Sequence, residues 1–400
     1  MKKYFNIFNI YVFFLFLYEF ISARGASAML VYLSLGSTMM IALYYVIQAI
    51  QSRKTPYLKA LLLFVCLIII YGVIRFIGGE YLRAGTVSNP QSFILNFMHQ
   101  VPAVVVFYML AKDGKIRLQD IKLWFFAFLL LSYWEYQHAY QQFLERMAMQ
   151  FNQTDEMTNN TGYLFVGLFP LVTLFSKKPW AQYGAICIIG FWAINSAKRG
   201  AILLFALSFI FFLYVNLKQQ RRITSSKKTL VYVFSLLVFV AGIRYFQNHL
   251  FASDYFYTRY LSTLEGDTNG RDLIFSSIWN HYINEYNPFQ WFFGGGAEST
   301  LRYMHQFAHN DWMQILSDCG LIGVIIYLNY WIKYYRTIRN YKRRTNDADI
   351  YIMVVTAFII SAGRTLFSMS YIDMPVGLSL AIGYGMANVE RIRWNVQAFE

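Results

Sequence analysis

The sequence predicts an all-α, polytopic membrane protein, and three observations predict it. Of 400 residues, 57% are hydrophobic, 20% aromatic and only 14% charged, where a soluble domain carries about a quarter charged residues. Mean hydropathy is +0.36, and apolar runs of membrane-spanning length recur along almost the whole chain. Lys and Arg gather on alternate connections between those runs. Independent soluble domains are thereby excluded. Cys66, Cys187 and Cys319 all lie in apolar runs with no CxxC spacing, which excludes a disulfide framework and a cysteine-based zinc site.

Allowing about 17 to 25 residues per span, the spans in chain order are 5–22, 28–49, 58–78, 92–111, 121–138, 162–176, 180–197, 201–217, 229–246, 312–332, 350–370 and 375–389, so about twelve helices. Span 162–176 is short and contains Pro170, which predicts a kinked or tilted helix. With the N-terminus inside, roughly two thirds of the 35 Lys and Arg fall on the cytoplasmic side, from Lys2 and Lys3 through the 218–228 run to the 333–344 run. This predicts cytoplasmic N- and C-termini. The same bias accounts for the net charge of +14, so no nucleic-acid partner is needed to explain it. Lys2-Lys3, an apolar stretch and Ala26-Ser27-Ala28 imitate a signal peptide, but the apolar run is long for one and the expectation is a retained first helix.

The chain then divides into spans 1–9 over residues 1–246, a large external loop over 247–311, and spans 10–12 with the C-terminus over 312–400. Residues 139–161 form a second, shorter polar segment on the outside. The large loop is far longer than a connection requires and too aromatic to be disordered. Apolar residues at helical spacing over 253–264 and 271–284 predict short amphipathic helices at the outer membrane face. Gly294, Gly295 and Gly296 permit a tight turn or a close backbone approach to a ligand.

Chemistry is sought among the charged groups outside the membrane. Lys198 and Arg199 lie in Asn195-Ser196-Ala197-Lys198-Arg199-Gly200, a very short external turn where charge bias alone would place no cation. Read functionally, they make an anion site in a helix-lined cavity, since the guanidinium fork matches phosphate oxygens. Read structurally, they are interfacial side chains that snorkel. Arg271 follows a glycine turn, with Asp272 available as a surface partner. Arg244, Arg302 and Arg364 are placed at or near the outer ends of spans, and Arg364 lies well inside an apolar run, where a charge faces a cavity or a partner. Glu19 suits a structural ion pair with one of these arginines.

His309 precedes Asn310 and Asp311 where the loop re-enters the membrane. A neutral imidazole there can accept a proton, and a neighbouring carboxylate can orient it; the plain alternative is a hydrogen-bonded interfacial histidine. His305 completes an HxxxH pair, but no third ligand has suitable spacing, so no metal is expected.

The stretch Phe307-Ala308-His309-Asn310-Asp311-Trp312, continuing through Asp318-Cys319-Gly320-Leu321-Ile322-Gly323, resembles the loop exit and following helix of bacterial O-antigen polymerases (Wzy type) and O-antigen ligases. Gly270-Arg271, Ile278-Trp279, Asn287-Pro288 and Gly294–Gly296 resemble the preceding part of that loop, in order. Ser196-Ala197-Lys198-Arg199-Gly200 is similar to the family's external Ser-Arg-Gly turn, enlarged here by Ala197 and Lys198. These motifs cover about a fifth of the chain.

The resemblance implies a GT-C-like, metal-independent glycosyltransferase without a cofactor, working at the periplasmic face of the bacterial inner membrane. Its substrates would be undecaprenyl-pyrophosphate-linked oligosaccharides, with membrane lipid around it and a chain-length regulator as a partner. Arg199 and Arg271, supported by Lys198, Arg244 and Arg364, would hold the donor pyrophosphate, and His309 would activate the acceptor hydroxyl. The leading expectation is a polymerase that transfers the growing glycan to the next lipid-linked repeat, because loop aromatics suit sugar faces. The alternatives are a ligase that uses lipid A core as acceptor and, from another class, a lipid-linked oligosaccharide flippase. A flippase should show related halves or charges deep in several helices, whereas the ionisable residues here concentrate on one face.

Overall fold

A computed structural model describes residues 6–22, 28–78, 90–149, 160–196, 198–219, 244, 248, 270–344 and 347–397. Among the described residues the chain is all-α: 85% are helical and no strand occurs. In order, the helices are α1 (Ile7–Ser22), α2 (Ala28–Gln51), α3 (Pro56–Gly78), α4 (Pro90–Met98), α5 (Val101–Lys112), α6 (Leu118–Met149), α7 (Thr161–Leu168), α8 (Pro179–Asn195), α9 (Arg199–Gln219), α10 (Arg271–Asn284), α11 (Pro288–Phe293), α12 (Ser299–Tyr303), α13 (Asp311–Arg344), α14 (Ala348–Phe367) and α15 (Val376–Gln397).

Among the described residues five helical stretches are long and apolar enough to cross a membrane: Met29–Gln51, Pro56–Gly78, Arg199–Lys218, Asp311–Lys342 and Ala348–Phe367. The protein is therefore membrane-embedded. Other expected spans differ in detail. The stretch 92–111 is two helices, broken at His99 and Gln100. The stretch 162–176 begins as α7 and tightens into a 3-10 helix over Phe169–Phe175, where Pro170 stands near its start and cannot donate to the preceding turn. The expected span 229–246 and amphipathic helix 253–264 lie outside the described residues, apart from Arg244.

The centre of the bundle is α5. Every residue from Val101 to Leu110 is buried, and α15, α2, α3 and α4 pack around it. Hydropathy alone would have let such a helix face lipid, since a buried apolar span and a lipid-facing one share a composition. On α3 and α13 the ring pairs fix an antiparallel register: Tyr57 meets Tyr334 at 5.4 Å between ring centres, and Phe64 meets Tyr327 at 4.7 Å. The C-terminal end of α3 and the N-terminal end of α13 thus share one face of the membrane, the face that carries the loop.

The 294–296 run turns with positive φ at Gly294 (75°) and Gly296 (94°), the tight turn these glycines permit. At Gly294 the backbone closes on that of α13 at Asp318 and Cys319. α13 is interrupted at Gly320, whose φ of 61° and ψ of −160° are non-helical and open to glycine almost alone. The carbonyls of Ser317 and Asp318 accept instead from the N–H groups of Gly295 at 2.8 Å and Gly296 at 2.9 Å. The loop repairs the break in the helix that supports it.

Candidate functional site

The site is built from helix ends on the loop face. Asn310 caps α13: its Oδ1 accepts from the N–H groups of Trp312 at 2.9 Å and Met313 at 3.1 Å, two donors that a helix start leaves unpaired. Its Nδ2 donates to the Leu366 carbonyl at 3.4 Å, so the cap also fastens this corner to the end of α14. His309, immediately before the cap, takes a left-handed conformation with φ of 51° and is exposed.

Asp311, fully buried, secures the corner from below. One carboxylate oxygen accepts from the Ser370 N–H at 2.7 Å and the other from the Tyr327 hydroxyl at 2.6 Å. Ser370 belongs to the connection 368–375 between α14 and α15. Gln100, at the break between α4 and α5, holds the other end of that connection by accepting from the Met374 N–H at 2.5 Å. Between these two anchors stands Asp373.

Arg364 reaches Asp373 from the last turn of α14. It is fully buried, donates through Nη2 to the Asp373 carbonyl, lies 3.4 Å from Asp373 Oδ2, and sits over the Tyr163 ring at 4.7 Å. This answers the cost of a charge in an apolar run with a carboxylate and a π face. Its Nε and Nη1 atoms, and the Tyr163 hydroxyl, have no hydrogen-bond partner among the described residues.

The other cations converge on the same place. Lys198 follows the turn at Ser196, and its N–H approaches the Ser196 hydroxyl at 3.5 Å. Arg271 is the first residue of α10, set by Gly270 with φ of 73°. Crowding by protein, then the charges of Lys198 and Arg271, hold the His309 imidazole below its ordinary pKa. Lys198 also acts on Asp373, and Arg271 on Tyr163.

Lys198 and Arg271 thus connect His309 electrostatically with Asp373 and Tyr163, the two groups that Arg364 meets. Arg199 is half-buried at the start of α9, beside Lys198 in sequence; the cations that act on His309 are Lys198 and Arg271. Arg244 is exposed, and the residues flanking it lie outside the described ones. Arg302 is engaged with the Gly295 carbonyl. An adjoining pocket is lined by Glu19, Glu135, Ser132, Phe128 and Pro375 among others, so the site has an acidic and apolar flank beside its basic one. Among the described residues no group of three His, Cys, Asp or Glu side chains could hold a metal ion.

Asn310, Tyr163 and Asp373 join the site from outside the residues expected there. Asn310 carried a legible signal, an Asn before an apolar helical run. Tyr163 and Asp373 carried none, since only the fold brings them to Arg364.

Chemically, the arrangement offers a neutral imidazole open to solvent, with permanent cations and unclaimed donors beside it. It can accept a proton at one point and stabilise an anion at another. No protein-family model matches this chain, and no curated protein matches it.

Proposed function

We propose that the protein is a surface-polysaccharide polymerase of the O-antigen type, a GT-C-like membrane glycosyltransferase of about twelve spans. In this reading it works on the periplasmic side of a bacterial inner membrane and transfers a growing glycan from undecaprenyl pyrophosphate to the next lipid-linked repeat. One observation carries the reading: His309 lies within the fields of Lys198 and Arg271, and those two cations also act on Asp373 and Tyr163, which Arg364 meets. Departure of a pyrophosphate from a sugar C1 needs cations where negative charge develops, and Arg199, Arg271, Lys198 and Arg364 are the groups assigned to it.

The acceptor hydroxyl needs a base. Its proton passes to His309 as its oxygen bonds to C1, the bond from C1 to the pyrophosphate oxygen breaks, and lipid pyrophosphate leaves with the electron pair. Depression of the His309 pKa favours this role, because the imidazole stays neutral at physiological pH.

The test is incubation of the purified protein in detergent with lipid-linked repeats and no second compartment. Longer glycans support polymerisation, and unchanged chain length refutes it, leaving ligation or transport. Arg199→Ala and His309→Ala should each abolish elongation while the protein still inserts in membranes. Normal elongation in either refutes the role given to that residue.

A further inference from the structure

From the depth at which the loop's second half is held, we infer that residues 287–296 re-enter the bilayer and that the Phe289 and Phe292 face of α11 lies against lipid acyl chains. The depth follows from two independent attachments. The Tyr71 hydroxyl donates to the Phe293 carbonyl at 2.5 Å, and Tyr71 is seven residues before Gly78, the end of α3, so about 10 Å below that end. Gly295 and Gly296 bond to Ser317 and Asp318, and Asp318 is seven residues beyond Asp311, the start of α13, again about 10 Å below the helix end. The two helix ends share a membrane face, so the attachments agree.

Farther out along α3 than Tyr71, Ile74 and Ile77 are 61% and 76% exposed. A bilayer deep enough to cover them also covers the level of α11. Phe289 and Phe292 are 68% and 52% exposed there, and Ile70 of α3 and Leu321 of α13 are exposed as well.

Backbone inside a membrane must find its partners within the protein, and much of this segment does. Asn287 caps α11 through a reciprocal pair with Gln290, at 3.0 and 3.1 Å. The Tyr282 hydroxyl donates to the Trp291 carbonyl at 2.6 Å and Trp291 Nε1 to the Tyr282 carbonyl at 2.9 Å. Two of the charges nearby are paired and buried, Arg75 with Glu298, both side chains below a tenth exposed, and the exposed Glu285 stands before the segment. A loop suspended in water has less need of such internal pairing.

The experiment places a nitroxide at Phe289→Cys, with Cys66→Ser and Cys187→Ser, in the full chain in lipid nanodiscs; the parent lacking Phe289→Cys checks that buried Cys319 takes no label. Collision with oxygen and with a water-soluble nickel chelate is compared with Ile74→Cys as the lipid reference and Gln306→Cys, exposed, as the aqueous one. High oxygen and low chelate collision at 289, matching 74, is the expected result. Chelate access matching 306 overturns the inference, as does low collision with both reagents, the sign of a protein contact such as a second copy. An unlabelled readout guards against a misfolded variant: acyl-brominated lipids should quench the emission that is lost on Trp291→Phe, and an unquenched difference spectrum also overturns it.

Discussion

Replacing Gly320 by alanine tests how the loop is held to the bundle. Its φ of 61° and ψ of −160° cost any L-residue about 1 to 3 kcal/mol. A Cβ there meets Phe292 C and O at 2.5 Å and Gly294 N at 2.6 Å, which are backbone atoms and cannot rotate away. The 292–296 segment must therefore move, and it gives up the bonds from Gly295 and Gly296 to Ser317 and Asp318, each contributing about 0.5 to 1.5 kcal/mol. The expected loss is about 2 to 6 kcal/mol in all, read from denaturant unfolding in mixed micelles. Gly184→Ala is the control: nothing lies within 4 Å of a Cβ at that helical position, so it should be neutral or stabilising by about 0.5 to 1 kcal/mol. A loss at Gly320 below about 1 kcal/mol, less than a typical single hydrogen bond, would refute the view that this break is a built joint.

Three more expectations follow from the same geometry. Elongation should stay constant as pH falls through the ordinary histidine range and decline only at lower pH, because the base must be neutral and its pKa is depressed; Arg271→Ala removes a cation, raises that pKa and should move the acid limb to higher pH, and an unmoved limb refutes the coupling. Arg75→Met or Glu298→Leu alone leaves a buried charge unpaired and should cost about 3 to 5 kcal/mol, with the double variant recovering most of it in the same unfolding assay; additive losses would contradict a direct pair. Asp311→Asn weakens the hold on Ser370 and Tyr327 and should lower elongation more than membrane insertion, measured side by side; equal losses would mean a general folding defect.

The helical, membrane-embedded class was legible because hydrophobic length and charge placement are local quantities. The centrality of α5 was not, because Val101–Leu110 has the same composition as a segment facing lipid. At the site, Arg364 stood out as a charge inside an apolar run and His309 as a side chain at a helix start. Their companions Tyr163 and Asp373 were silent, since a tyrosine and a carboxylate in such positions acquire meaning only from what folds beside them. The spacing over 271–284 predicts a helix, and α10 occupies that segment. α11 escaped notice although Asn287, Pro288 and Gln290 spell a helix start, because six mostly aromatic residues have no period to detect. The interruption of α13 was hidden for the opposite reason: Gly320 in a long apolar run looks like a tolerated residue, and its backbone angles are dictated by the loop that docks there.

His309 and Asp311 are separated by one residue and belong to different worlds: the first stays exposed at the rim of the site, with protein crowding its ring, the second is sealed among packed side chains. Whatever chemistry the imidazole performs, the scaffold beneath does not depend on it, whereas the carboxylate cannot be altered without loosening two neighbouring connections. Position 309 is therefore a socket, where the reactive group can be exchanged by mutation or by chemical ligation while the frame that aims it stays whole.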